Sequence, residues 1–223
     1  MIKCSNCNIE IEEKHCPKCG QYRKTGKLTS FSVLRDFVGN IFSLESSIFQ
    51  NMKVAFLDPG KLVKNYWDGF RGYYYSPGRF FVTAGLFVLI DSIWNEKFLG
   101  IVVTSKVVPQ FTIIMVSIII VYLSTKLIYF RQKRSSVELL ILAIYTVSLW
   151  TIVFVPISAI SNYFYSPKIP ILLIPFYLLI LIWNSKVFEL SKKQKWLHLL
   201  LHIVLFFGGM ALFIWWIADI KYE

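Results

Sequence analysis

The stretch FFVTAGLFVLIDSIW, residues 80–94, decides the fold, because whether it crosses a bilayer fixes the side on which everything before it lies. As a helix its fifteen residues rise only about 22 Å, against a hydrocarbon core of about 30 Å. It also carries Asp91, which is costly inside a span. Extending it back to Pro77 and on to Asn95 nearly closes the gap.

Charge further along the chain resolves the question. Four other apolar segments, residues 111–130, 137–160, 169–187 and 196–217, reach the roughly 20 residues a crossing needs. RQKRSS, residues 131–136, lies between the first two of these, and SKKQKW, residues 191–196, between the last two. Two spans separate these loops, so they share a side, and the positive-inside rule makes it the cytoplasm. Twelve of the 24 Lys and Arg precede residue 80. They join that side only if residues 80–94 cross. Lys97, Lys106, Lys168 and Lys221 are then the four cations left outside. The expectation is an all-α integral membrane protein of about five transmembrane helices, N-terminus cytoplasmic and C-terminus outside.

Composition agrees. Apolar residues make up 56% and charged residues 17%, against ~45–50% and ~25% in soluble domains. That excludes a disordered chain, a collagen and a disulfide miniprotein, and it is unlike an ordinary soluble enzyme. The net charge of +11 is absorbed by membrane topology, so no nucleic-acid partner is expected. Five spans and no evident internal repeat argue against a transporter of two equal halves. Residues 1–27 are polar and hold no apolar central run, so insertion is expected to rely on internal spans.

Toward the N-terminus, residues 66–81, YWDGFRGYYYSPGRFF, interleave rings with arginine, as a membrane interface favours. Asp58-Pro59-Gly60 reads as a break and a helix restart, with Asp58 as cap and Pro59 in the first position. Leu62, Val63, Tyr66, Trp67 and Phe70 then form one apolar side, the pattern of a helix lying in the interface plane. Before it, Phe31, Leu34, Val38, Ile41, Leu44, Ile48 and Met52 recur at helical spacing, with a bend at Gly39-Asn40. The chain therefore divides into a head (1–27), an amphipathic juxtamembrane region (28–78) and a five-helix domain (79–223).

All four cysteines fall in the head, as Cys4-x2-Cys7 and Cys16-x2-Cys19-Gly20. Two such knuckles supply the four thiolates of a tetrahedral structural zinc site, here a short ribbon with one hairpin between the ligands. Two disulfides, or a redox CxxC, are the competing readings, and the reducing side of a membrane disfavours both. His15 is read as a neighbour of the site. Four thiolates leave no open position, so the metal is structural, and in a head without a core it supplies the folding free energy.

The CxxC…CPxCGQ head, the amphipathic stretch and a PG-x5-Y-x2-G-x-R-x2-Y-x2-P motif occur together. They are Cys4, Cys7, Cys16, Cys19, Gly20 and Gln21, then Pro59, Gly60, Tyr66, Gly69, Arg71, Tyr74 and Pro77, with Glu138 opening a later span. Over nearly its full length the chain resembles the bacterial domain-of-unknown-function family 3667. The resemblance implies an inner-membrane zinc-ribbon protein and supplies no activity. Where that family often carries His after the Glu, this chain has Leu139.

Other candidates lie at the membrane. Asp91 is read as reaching the interface. Glu138 opens the third span, and His198 and His202, four apart, share a face of the fifth. Two His and a carboxylate at one depth can bind iron or zinc, or form an interfacial polar cluster. Asn184 and Glu189 can join such a cluster. Arg71, with Tyr74 beside it, reads either as a lipid headgroup contact or as an anchor setting the depth of the first span. Pro156 and Pro175 are expected to kink their helices, and Gly208-Gly209 permits close helix contact.

The expected function is a non-enzymatic adaptor or sensor in the cytoplasmic membrane, its zinc ribbon docking a protein partner at the inner face, with membrane lipid around the bundle. The alternative is a membrane enzyme or transporter for lipid or a small solute, with Glu138, His198, His202 and Arg71 lining a cytoplasmic-facing pocket.

Overall fold

The structure is a computed structural model. It describes residues 2–4, 7, 9–11, 16, 18, 29, 31, 48–70, 75–95, 97–99, 101–102, 110–164 and 172–220. In the head, β1 (Ile2–Lys3) pairs antiparallel with β2 (Glu10–Ile11). The juxtamembrane helices are α1 (Ile48–Leu57) and α2 (Pro59–Trp67). The bundle follows as α3 (Pro77–Trp94), α4 (Gln110–Ile128), α5 (Ser136–Phe164), α6 (Leu173–Val187) and α7 (Lys192–Ile220). A two-residue hairpin, β3 (Lys97–Phe98) with β4 (Ile101–Val102), lies between α3 and α4.

Four of these helices, α3, α4, α5 and α7, are long and apolar enough to cross a membrane. All five apolar segments of the sequence are helical, but the one expected at 169–187 is a helix only from Leu173, fifteen residues or about 22 Å long. The marginal first segment is a helix from Pro77 to Trp94, as its extension back to Pro77 anticipated. Ser76 caps α3, its hydroxyl accepting from the Arg79 amide at 3.3 Å, and Pro77 occupies the first turn. Asp58 caps α2 in the same way, its carboxylate accepting from the Lys61 amide at 2.9 Å.

The helix α5 is the central post. Of its apolar window 67% is buried, against 11% for α7. It packs on α3, α4 and α6, while α7 packs on α4 and α6. The core on this post includes Ile118, Val121, Val147, Phe176, Tyr177 and Phe206. Outward faces stay apolar and uncovered, as at Leu89 and Ile93 on α3, Leu123 and Leu127 on α4, and Leu200 and Val204 on α7. Such a girdle suits lipid and not water.

Two expectations change. The apolar side of α2 does not lie against lipid: Leu62, Val63, Tyr66 and Trp67 are buried against protein, among Leu139, Leu142 and Tyr145 of α5 and Trp183 and Val187 of α6. Pro175 sits in the first turn of α6, where its missing amide breaks no helical bond, and not mid-helix. Pro156 does lie within α5. Asp91, in the last turn of α3, is 5% exposed. The chain turns at Asn95, whose side-chain amide donates to Asp91 Oδ1 at 2.6 Å, and Gln110 at the start of α4 donates to the Asn95 carbonyl at 3.0 Å. Asp91 Oδ2 is buried without a hydrogen-bond partner.

Candidate functional site

Cys4 and Cys7 lie in the sequence between the paired strands β1 and β2. The Cys4 amide donates to the Ile9 carbonyl at 2.7 Å, which folds Cys4 and Cys7 back toward Cys16. The three sulfurs lie within 4.8 Å of one another, and Cys7 and Cys16 Sγ are 3.3 Å apart. None of the three is in a disulfide. Tetrahedral bonds of about 2.3 Å set neighbouring sulfurs roughly 3.8 Å apart, so three converging thiols fit a zinc-type centre. They can hold a metal ion. Cys19, the fourth expected ligand, and His15 lie outside the described residues.

The cluster is covered by a residue that follows α2. Cys4, Cys16 and Ile11 form one buried group with Phe70, which is 2% exposed. Phe70 directly follows the turn that ends α2, where its amide donates to the Asn65 carbonyl at 2.9 Å. That turn contains Gly69 at φ 97°, a conformation glycine adopts without strain.

The juxtamembrane helices are in turn fixed to the bundle. Trp67 Nε1 donates to the Glu138 carbonyl at 3.1 Å, and the Arg134 guanidinium lies 4.6 Å over the Trp67 ring. Tyr145 on α5 donates to the Tyr75 carbonyl at 2.8 Å. Trp183 on α6 donates to the Ala55 carbonyl at 2.9 Å. Lys64 on α2 pairs with Glu189, just beyond α6. That hydrogen bond, with the lysine charge, holds the Glu189 carboxyl below its ordinary range.

The polar candidates at this end of the bundle disperse. Glu138 is a helix cap: its carboxylate accepts from the Ser135 amide at 2.8 Å, Ser135 Oγ accepts from the Glu138 amide at 3.2 Å, and Arg134 stands 3.6 Å away. His198 Nδ1 bonds to the Gln194 carbonyl at 2.8 Å while its ring stacks on Tyr129. His202 is fully buried, with Nε2 2.9 Å from Ser124 Oγ. Among the described residues only Cys4, Cys7 and Cys16 form a group of three or more metal-ligating side chains. Arg71 and Tyr74 lie outside the described residues.

Asn184 joins a buried network, whereas Glu189 pairs with Lys64 at the surface. Its Oδ1 accepts from Thr146 at 2.6 Å and its Nδ2 donates to Thr125 Oγ1 at 3.2 Å, so α4, α5 and α6 meet through one amide. The three hydroxyls, Ser124, Thr125 and Thr146, are the residues that sequence reasoning missed. Hydroxyls are ordinary in spans, and their only signal was occurring at the depth of Asn184.

Comparison with known proteins finds no matching family model, curated protein or solved structure.

Proposed function

We propose that the chain is a multi-pass protein of the bacterial cytoplasmic membrane, kin to the family 3667 it resembles. It has five spans, its N-terminus in the cytoplasm and its C-terminus outside, and a structural zinc ion on Cys4, Cys7, Cys16 and Cys19. Its role is non-enzymatic: an adaptor or sensor whose zinc head docks a protein partner at the inner face.

The observation that carries this reading is the contact between Phe70 and the thiol cluster. Phe70 is the next residue but two after Trp67, and Trp67 is bound to α5. A pull on the head is therefore delivered to the bundle with little slack. The distribution of Lys and Arg supports the sidedness, and α6 crosses by local thinning of the bilayer or by anchoring of its flanks. The enzyme or transporter alternative needs Glu138, His198, His202 and Arg71 around one pocket, and the first three have separate partners.

The test is a pull-down from native membranes, comparing the intact protein with one lacking residues 1–27. One partner lost with the head supports docking. An unchanged set of partners rejects it.

A further inference from the structure

Toward the end of the bundle opposite α2, three buried oxygens on three helices have no hydrogen-bond partner. They are Asp91 Oδ2 in the last turn of α3, Gln110 Oε1 at the start of α4 and Ser158 Oγ late in α5. The residues are 5%, 7% and 1% exposed, so water does not serve them. Hydrogen bonds tie the first two to one neighbour. The Asn95 side-chain amide donates to Asp91 Oδ1 at 2.6 Å, and the Gln110 side-chain amide donates to the Asn95 carbonyl at 3.0 Å. These bonds fix the orientation of both amides, so the Gln110 atom left over is its oxygen, an acceptor.

Helix register brings the third oxygen to the same level. Asp91 continues the buried stripe Phe80, Ala84 and Val88 of α3, and the Phe80 ring meets that of Tyr145 on α5 at 5.6 Å between centroids. Eleven residues beyond that contact, a rise of about 16 Å, α3 has reached Asp91 and α5 has reached Pro156, two residues before Ser158. What the three oxygens lack is positive charge. A buried carboxylate persists only when it is paired, coordinated or neutralised. The donor to Asp91 is a neutral amide, and among the described residues no Lys, Arg or His pairs with it. A carboxylate, an amide oxygen and a hydroxyl are the ligand set of a hard cation. One formal negative charge balances a monovalent ion, whereas a divalent ion would leave a net positive charge inside the bundle. Asn95 is half-buried and Trp94 exposed, so the site lies about one helical turn from the surface through which an ion enters.

We propose that Asp91, Gln110 and Ser158 form a site for one alkali-metal cation, bound between α3, α4 and α5. The site depends neither on the zinc head nor on the adaptor role.

The experiment measures binding of radioactive sodium and of radioactive rubidium, a stand-in for potassium, to the full chain purified in micelles. Equilibrium dialysis is run at constant ionic strength held with choline chloride. The expected result is saturable binding of about one ion per chain for at least one tracer, displaced by the unlabelled ion. That same ion, and not choline, should raise the thermal unfolding midpoint. Asp91→Asn keeps an oxygen for the Asn95 amide but removes the charge, and should weaken binding about tenfold or more. Gln110→Leu and Ser158→Ala should each weaken it severalfold, and they carry the test if Asp91→Asn does not fold. No saturable binding of either tracer to the folded native chain overturns the site, and would mean that a proton neutralises the carboxyl instead. Binding that is unchanged in both Gln110→Leu and Ser158→Ala also overturns it. Saturable binding of calcium in place of both tracers overturns the monovalent assignment.

Discussion

The hydroxyl of Ser124 on α4 lies 2.9 Å from Nε2 of His202 on α7, so a fully buried imidazole ties these two helices together. Ser124 Oγ also stands 3.1 Å from the Val121 carbonyl of its own helix. His202 Nδ1 is buried without a hydrogen-bond partner. The adjoining hydroxyls have carbonyls within reach as well. Thr125 and Thr146 each reach a carbonyl four residues back, Val121 at 2.6 Å and Leu142 at 2.7 Å.

These fallback carbonyls make the network asymmetric. Asn184→Leu removes an amide whose partners can bond their own helices, so it should cost under about 1 kcal/mol. Thr146→Val strands Asn184 Oδ1 in the core and should cost about 1–3 kcal/mol. Equilibrium unfolding in micelles checks this, with Asn184→Leu predicted to rescue Thr146→Val. Strict additivity of the two changes would contradict the assigned hydrogen bonds.

The Lys64–Glu189 pair gives a pH dependence. Glu189 has a depressed pKa when docked, so its contribution is present above its ordinary 4.5 and is lost as pH falls through the depressed value. Docking of α2 on α6 should therefore loosen in that acid range and at high salt, since the pair is exposed. Fluorescence of Trp183, which packs in one core with Leu62 and Val63 of α2, reads it in a chain whose other six tryptophans are replaced by Phe. Glu189→Gln should abolish the transition; a titration identical in that variant assigns it elsewhere.

Metal analysis of purified protein should give about one zinc per chain, lost when Cys4 and Cys7 are both changed to Ser. Phe70→Ala should keep the zinc but speed its transfer to a chelator severalfold, because the ring covers Cys4 and Cys16. Unchanged transfer would mean that the ring does not shield the metal.

Much of this architecture was legible because its signals are local. Asp58-Pro59 and Ser76-Pro77 each combine a cap with a proline tolerated in the first turn, and both start helices. What the pattern could not give was the covering surface. The apolar side of α2 has the periodicity of an interfacial helix, yet it meets α5 and α6, and periodicity is blind to whether lipid or protein lies opposite. Lys64 and Glu189 stand 125 residues apart, each alone an ordinary interfacial charge. Glu138 carried a capping signal, Ser135-x2-Glu138, that competed with its reading as a ligand.

The paired glycines of α7 should differ sharply. A Cβ on Gly209 would stand 3.3 Å from Ile120 Cγ2 of α4, whereas one on Gly208 meets nothing within 4 Å. Gly208→Ala should be neutral or stabilising, by up to about 1 kcal/mol from helix propensity. Gly209→Leu overpacks the α4–α7 contact and should cost about 1–3 kcal/mol. Unfolding midpoints of the two variants decide it, and equal effects would remove the close approach.

Sidedness is the last prediction, because the docking proposal depends on it. If residues 80–94 cross, the RQKRSS loop and the head share the cytoplasm, and the stretch before the second span faces out. In a chain whose native cysteines are all in the head, a single thiol placed by Ser105→Cys should react with an impermeant maleimide added to intact cells. One placed by Lys133→Cys should react only after the membrane is opened. The head thiols should stay silent from outside in both variants. Reversed labelling would move twelve cations to the oxidising face, where the two cysteine pairs favour disulfides over zinc, and the adaptor reading would be lost with the topology.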